Sequence, residues 1–408
     1  MRLLFVCAFL NEQGGFETEV EGRARLALDA GHDVALFTPH IVRRDATIRA
    51  NLSPVVSLMS AQEIWRRTAV GRGMLLAARL RHFAATGRRA SAAEEGGLAK
   101  SRIPHSFYAH FWQGEGRQVL SRFDMVHLFG KPKTFVVAGG RQAKAMGKKV
   151  IYEEVAEVTA EYAAQPEHQS FVSASNLCDC VVAYCMQQVT DIRRYFRYDG
   201  EAVIVEQWAY GDEERLLRLR VRERGATGDY VTLGSLCRLG AEKGLDTLLV
   251  GFAEARKEVG NLRLRIAGQG ALEEALRKQA RELAVAEFVD FVGYVPDKVD
   301  FYASIDVFLI TSREEGGPIT GVEAMASGLP IVSTPVGAMP ERLKDEVDGL
   351  FFPVDSVEGL SSAIVRLSRD PVLRRSLGLA ARRRYRLRNH SGLCTARMLA
   401  VWESLGRT

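Results

Sequence analysis

Two glutamates, Glu315 and Glu323, stand with seven residues between them in the stretch 311–335, TSREEGGPITGVEAMASGLPIVSTP. Gly316 and Gly317 follow the first glutamate and remove Cβ atoms, so the backbone there can approach a ligand closely. A helix carrying Val322, Glu323, Ala324, Met325 and Ala326 follows, and it points its free N–H groups and positive dipole end at the same place. Anion-binding amides beside two hydroxyl-accepting carboxylates suit a ligand with both phosphate and hydroxyl groups, as a nucleotide sugar has. The bare spacing also admits a plainer reading: an acidic residue at a helix start and a buried glutamate paired with a core arginine.

The elements around this stretch set its place. Val307–Ile310 is a short apolar run of the kind that forms a buried strand. It breaks at Thr311 and Ser312 into a loop, and the helix after the loop ends at Gly328 and Pro330. A second strand follows at Ile331–Ser333. Strand, loop, helix, strand places the loop at the C-terminal edge of a parallel sheet, where open α/β sheets bind ligands.

The same alternation runs through the chain. Residues 2–8 form a first strand, followed by a loop with Gly14 and Gly15, a helix over 18–30 ended by Gly31, and a strand over 34–37. This is a βαβ unit without the G-x-G-x-x-G dinucleotide fingerprint. Further strands are expected at 124–129, 150–152, 181–183 and 203–205, and a charged connector at 212–229. The alternation then restarts with a strand over 230–233, a loop over 234–244 and a helix from Leu245. Leu262–Ala267 is a strand leading to Gly268-Gln269-Gly270, and 289–295 is the next. A strongly basic helix over 373–388 and a final helix over 391–406 close the chain.

At 408 residues the chain exceeds one ordinary core, and two domains are expected. A hydrophobic content of 47% with 26% charged residues places it among globular chains rather than disordered or fibrous ones. A net charge of +5 is mildly basic and suits anionic ligands or an anionic membrane surface; no motif of a nucleic-acid reader accompanies it. No apolar run reaches about 18 residues, so no spanning segment is expected. The apolar start of the chain passes into Asn11, Glu12 and Gln13 without a small-residue cleavage site, and reads as a strand rather than a signal peptide. Six scattered cysteines point to a reducing, cytoplasmic compartment. Cys178-x-Cys180 lacks the second pair a zinc site needs, so no metal is expected.

The string Glu315-Gly316-x-Pro318-x4-Glu323-Ala324-Met325-Ala326-x-Gly328-x-Pro330 resembles the E-x7-E signature of the retaining GT-B glycosyltransferases of family 4. The resemblance implies two Rossmann-like domains facing a central cleft, with the C-terminal helix crossing back to the N-domain. It places the acceptor domain at 1–212 together with 391–408, and the donor domain at 213–390. By the same resemblance Glu315 holds the donor sugar, Glu323 holds the ribose hydroxyls, and the loop Gly316, Gly317, Pro318 and Ile319 meets the diphosphate or the sugar. Arg238 and Lys243, five residues apart in a glycine-bounded loop, resemble the family's phosphate pair. A leaving nucleoside diphosphate gains negative charge as the glycosidic bond breaks, and fixed cations stabilise it. Gly14-Gly15 resembles the family's N-terminal glycine loop, and Gly15 takes its role towards the diphosphate. Gly268 is either part of the nucleotide wall or a tight turn. Backbone near Tyr294 reads the base.

Residues 124–129 resemble the family's D-x-x-H-x-H segment, but Phe129 stands where the second histidine belongs. His127 remains as a candidate catalytic residue, with a satisfied core imidazole as its other reading. Glu153 and Glu154 end a strand and either face an acceptor hydroxyl or form a surface salt bridge. The segment Glu206–Asp212 departs from the family's Asn-Gly-x-Asp turn. Residues 61–85 read either as a basic amphipathic helix for an anionic membrane or charged acceptor, or as an ordinary helix with a solvated arginine face. Residues 91–100 read as a mobile loop on the acceptor side.

The implied activity is metal-independent transfer of a sugar, with retention, from a nucleoside diphosphate sugar to a hydroxyl acceptor. No cofactor is implied beyond the UDP- or GDP-sugar co-substrate. The acceptor is a saccharide, a lipid-linked glycan or a small molecule, and peripheral association with the inner membrane face is compatible. A catalytically silent nucleotide-sugar-binding homologue and a GT-B epimerase or hydrolase are the alternative readings.

Overall fold

Strands buried on both faces read as continuous apolar runs, and helices must cover both sides of the sheet they form. The computed structural model describes residues 1–408 apart from 9, 11–13, 41, 43–45, 70–104 (of which only 72, 73, 76, 80, 83, 84 and 87 are described), 132, 167, 169–170, 172–176, 220–229 and 408. Among the described residues there are thirteen strands: β1 Arg2–Cys7, β2 Asp33–Thr38, β3 Ser57–Ser60, β4 Met125–Phe129, β5 Lys149–Glu153, β6 Cys180–Ala183, β7 Glu201–Ile204, β8 Val231–Leu236, β9 Leu262–Ala267, β10 Val289–Gly293, β11 Val307–Ile310, β12 Ile331–Ser333 and β13 Leu350–Phe351. They form two sheets, one of seven strands in the order β3-β2-β1-β4-β5-β6-β7 and one of six in the order β10-β9-β8-β11-β12-β13. Every pairing between these strands is parallel.

The first compact unit is Met1–Val205 together with Arg397–Thr408. Its core includes an aromatic cluster in which Phe37 stacks on Phe111 and Phe135, and Trp112 donates from Nε1 to the Phe135 carbonyl at 2.9 Å. Trp402, from the final helix, is buried against Phe5 and His127. The first helix spans Gly15–Asp29, one turn earlier than its apolar pattern indicates, because Gly15, Phe16 and Glu17 already adopt helical geometry. Of the basic segment 61–85, the part Ala61–Arg67 is helical, capped by the Ser60 hydroxyl on the Glu63 amide at 3.2 Å. Most of that segment beyond it, the loop 91–100 and the connector 220–229 lie outside the described residues.

The second unit is Glu206–Ala396. Successive residues of β11 point to opposite faces. Val307 and Leu309 pack with Leu248, Phe252, Leu360 and Ile364 on one side, and Phe308 and Ile310 with Val322, Met325 and Tyr385 on the other. Strand β8 continues through Gly234 to Leu236, past the limit set by its apolar run, because the ladder with β9 pairs Gly234 with Arg265 and Leu236 with Ala267. The units divide at 205/206 and 396/397 rather than at 212/213 and 390/391. The reason lies in Glu206–Ala209. Glu206 pairs with Arg388 at 2.7 Å, Gln207 accepts from Arg342 Nη2 at 2.6 Å and from Asn389 Nδ2 at 2.8 Å, and the Ala209 amide donates to Tyr385 at 3.1 Å. These bonds draw the segment into the second unit. Among the described residues, no helix is long and apolar enough to cross a membrane.

Candidate functional site

Strands β8 and β11 are neighbours, with Val307 opposite Leu233 and Phe308 opposite Gly234. From β8 the chain builds outward to β9 and β10 on one side, and from β11 to β12 and β13 on the other. The strand order reverses between them, and connections leaving the carboxyl ends at such a point splay apart and open a crevice. The loop leaving β8 carries Arg238 and Lys243; the loop leaving β11 carries Glu315. The two loops are stitched together. Thr311 Oγ1 donates to the Lys243 carbonyl at 2.8 Å, the Arg313 amide to the Glu242 carbonyl at 2.8 Å, and Arg313 Nη1 to the Ala241 carbonyl at 2.6 Å. Gly244 has φ +59°, and a Cβ there would lie 2.1 Å from the Thr311 carbonyl, so both the turn and the close approach need glycine.

Lys243 Nζ lies 2.5 Å from Glu315 Oε1, which also accepts from Ser312 Oγ at 3.0 Å. Burial alone would lower the Lys243 pKa, but the Glu315 carboxylate outweighs it, and the ammonium is held above its ordinary range. Arg238 is exposed in the same loop and pairs with Glu242 at 2.7 Å. An ammonium has three donors, so Lys243 keeps capacity for an anion beside its carboxylate partner, and Arg238 presents its exposed guanidinium from the same loop. Gly316, Pro318 and Ile319 are buried and Gly317 is partly exposed. The Gly316 carbonyl is fixed by the Ala338 amide at 3.0 Å, and Gly337 packs its backbone against Glu315 and Gly316.

Glu323, in the helix Ile319–Ser327, is buried. Its Oε1 accepts from Lys298 Nζ at 2.8 Å and its Oε2 from the Tyr302 hydroxyl at 2.7 Å. The partner of this buried acid is a lysine and a tyrosine rather than an arginine. Neither was singled out in the sequence; the signal available was that a buried carboxylate requires donors. Arg342 was missed as well. It is buried, and its Nη1 holds the Pro318 carbonyl at 3.3 Å while Nη2 holds Gln207.

Gly268 has φ +125°, and its backbone lies so close to the Cys237 carbonyl that a Cβ has no room. It therefore holds the Arg238 loop against the end of β9. Tyr294 is exposed just beyond β10. Arg238, Lys243, Gly268, Tyr294, Glu315 and Glu323 thus share one unit and the carboxyl side of one sheet. Gly15 and His127 belong to the other unit. Gly15 is exposed at the start of its helix.

His127 is 0% exposed. Trp402 Nε1 donates to its Nδ1 at 3.4 Å, which leaves the proton on Nε2, 3.1 Å from Glu153 Oε2 in a close but poorly directed contact. Burial pushes its pKa down, Glu153 opposes this, and the imidazole is held below its ordinary range. The expectation that His127 faces a reacting sugar is corrected: this structure makes it a core residue. Glu153 is likewise buried, paired with Arg23, rather than a surface salt bridge.

Glu154 is also fully buried and faces neither solvent nor an open surface. Its Oε2 accepts from the Tyr152 hydroxyl at 2.5 Å, and its Oε1 from the amides of Val155 and Ala156, both at 2.9 Å. Burial raises its pKa from 4.5 to about 7, against the opposing pull of these donors. Between those two values the folded chain holds one more proton than the unfolded chain. Stability from this group is therefore present below pH 4.5 and is lost as the pH rises through 7, by roughly 3 kcal/mol in all. Glu154→Gln cannot titrate. Amide hydrogen exchange at β5, compared between the two proteins, is expected to show the wild type losing that amount relative to the variant between pH 4.5 and 7.5.

Residues 220–384 match the family described as glycosyl transferases group 1. Among curated proteins, a GDP-mannose-dependent alpha-(1-6)-phosphatidylinositol monomannoside mannosyltransferase of Mycolicibacterium smegmatis is 33% identical over 174 residues, 40% of this chain and 46% of that protein. An alpha-monoglucosyldiacylglycerol synthase of Streptococcus pneumoniae is 30% identical over 142 residues, 34% of this chain and 32% of that protein. The chain thus spans less than half the length of these relatives. Among solved structures, Anabaena HepE in complex with UDP superposes with a TM-score of 0.71 at 16% identity, covering 99% of this chain and 100% of that one. Staphylococcus aureus TarM gives a TM-score of 0.73 at 12% identity, covering 100% and 99%. The matched span contains both loops of the β8/β11 crevice, and the likeness in fold takes in both units. Residues 220–384 are thus similar to the group 1 glycosyl transferases, and the two parallel-sheet Rossmann-like units have the GT-B fold of these solved structures.

Proposed function

We propose that the chain transfers a sugar from a nucleoside diphosphate sugar to a hydroxyl of a saccharide or lipid acceptor, with retention and without a metal ion. The observation that carries this reading is the meeting of Lys243 and Glu315 at the β8/β11 crevice, inside the span that matches the family. Arg238 and Lys243 meet the diphosphate and stabilise the charge that develops as the leaving group departs. Glu315 accepts from hydroxyls of the donor sugar, and Glu323 serves the ribose. The leaving phosphate takes the acceptor proton on the same face, so no strong protein base is needed and a buried His127 is tolerated. Fixed cations do the charge work a metal would otherwise supply. The activities named for the relatives, one GDP-mannose-dependent and both with lipid in their names, support a lipid or glycan hydroxyl as acceptor.

Thermal-shift titration with a panel of UDP- and GDP-sugars tests the site, because a ligand that binds only the folded state raises the melting temperature by mass action. One sugar nucleotide is expected to give a clear shift that EDTA leaves unchanged. Arg238→Ala is expected to abolish it while melting like the wild type without ligand, and Glu323→Ala to abolish it while melting lower, because Lys298 and Tyr302 lose their buried acceptor. Retention of the full shift in both variants would overturn the assignment.

A further inference from the structure

Glu323 is the acid to which the ribose role falls, yet only 2% of its side chain is exposed, whereas Lys298, bonded to it, exposes 31%. The group that a ligand reaches first at this point is the ammonium. Lys298 opens the helix Lys298–Ala303, and Tyr302 stands four residues on, so both lie on one helix face and grip the two oxygens of the same carboxylate. The start of that helix is itself fixed. Asp297 caps it by accepting from the Val299 amide at 3.0 Å, and Arg215 holds Asp297 at 2.5 Å. Tyr302 is also tied to the Thr320 carbonyl at 3.2 Å, on the helix that follows the Glu315 loop. One of the three ammonium N–H bonds is used on Glu323, which leaves two for acceptors on the open side.

We propose that Lys298 is a ligand-binding residue of this site, the exposed end of a Tyr302–Glu323–Lys298 chain, and that it meets the ribose of the nucleotide so that Glu323 reads the ribose together with it rather than alone. This rests on the nucleotide-sugar reading above. Tyr302 and Glu323 form the buried support, and Lys298 donates to ribose oxygens while fixing the free lone pairs of Glu323 towards the same hydroxyls.

The test is calorimetric binding of UDP and GDP, and of their 2′,3′-dideoxy counterparts, to wild type, Lys298→Met, Lys298→Arg and Glu323→Gln. Wild type is expected to favour the ribonucleotide by about tenfold or more, as two charge-assisted hydrogen bonds imply. Lys298→Met is expected to bring that ratio close to one, chiefly by weakening the ribonucleotide, and Lys298→Arg to retain part of it. The Arg variant also serves if the Met variant melts early. A wild type that discriminates, with Glu323→Gln losing the preference and Lys298→Met keeping it, would overturn the role of Lys298 and leave the nucleotide site standing. A wild type that binds both forms alike would overturn the ribose contact and this inference while leaving the nucleotide site standing, and one that binds neither UDP nor GDP would overturn the nucleotide reading and this inference with it.

Discussion

Lys243→Met is expected to lower sugar transfer by about 10²- to 10³-fold in kcat, the scale seen when one fixed charge or donor aimed at developing transition-state charge is removed. The side chain is held for that task in advance. It sits at the mouth of the loop leaving β8, and the neighbouring loop presses its backbone through Gly244 and Thr311. The same substitution strips Glu315 of its 2.5 Å partner, so a structural cost is expected too, about 1–3 kcal/mol for a largely buried acceptor that loses a donor. The two effects separate in the double variant Lys243→Met with Glu315→Gln. Removing both charges is expected to restore most of the stability, because no uncompensated acid remains, but none of the rate. Steady-state release of nucleoside diphosphate, read beside the melting temperature, checks this. Equal recovery of rate and stability in the double variant would make Lys243 a structural partner of Glu315 and nothing more.

The largest effect on stability is expected at Arg23. Its guanidinium is 0% exposed and pairs with Glu153 at 2.8 Å and Glu19 at 3.3 Å, two carboxylates that are themselves buried. Burial would raise the Glu153 pKa, but Arg23 and the His127 ring outweigh it and hold the carboxyl below its ordinary range. Glu153 therefore contributes stability that is present above pH 4.5 and is lost as the pH falls below it. Arg23→Met removes the buried cation that both acids share, a change that costs about 3–5 kcal/mol. Because the two units need not unfold together, the measurement is amide hydrogen exchange at β4 and β5, which reports the opening of this sheet alone. Protection there is expected to fall by about two to three orders of magnitude at pH 7. Adding Glu153→Gln to Arg23→Met is expected to recover part of it. Unchanged protection in the single variant would show that the cluster is not what holds the sheet.

The local elements were legible because each signal for them is carried by neighbours in the chain. Val307–Ile310 and Ile331–Ser333 are strands over their whole runs, since a strand covered on both faces has no reason to alternate, and Leu262–Ala267 is legible instead from the alternation of its leucines and arginines. Gly328 ends its helix at φ +69°, a conformation glycine adopts without strain. The composition of the β11 loop, two glycines and a proline between two acids, already pointed to a ligand with phosphate and hydroxyls. Errors fell at ends and edges. β8 outran its apolar run because its last residues are held by the ladder to β9. The unit boundary moved because the bonds of Glu206 and Gln207 go to residues more than 130 positions away.

By itself, then, the chain's order of residues determined the alternation of strands and helices, the ends of the best-capped helices, and which residue types crowd the loops after β8 and β11. Only the tertiary structure decided that β8 and β11 lie side by side, which brings Lys243 onto Glu315 across 72 positions, that Lys298 and Tyr302 complete Glu323, and that Trp402 closes over His127 from 275 positions away. Helix turns and apolar runs are set by residues a few positions apart, so they can be read along the chain. Strand order, and the donors a buried carboxylate must find, are settled when separate elements compete to cover one another's apolar faces, and no local spacing records the outcome.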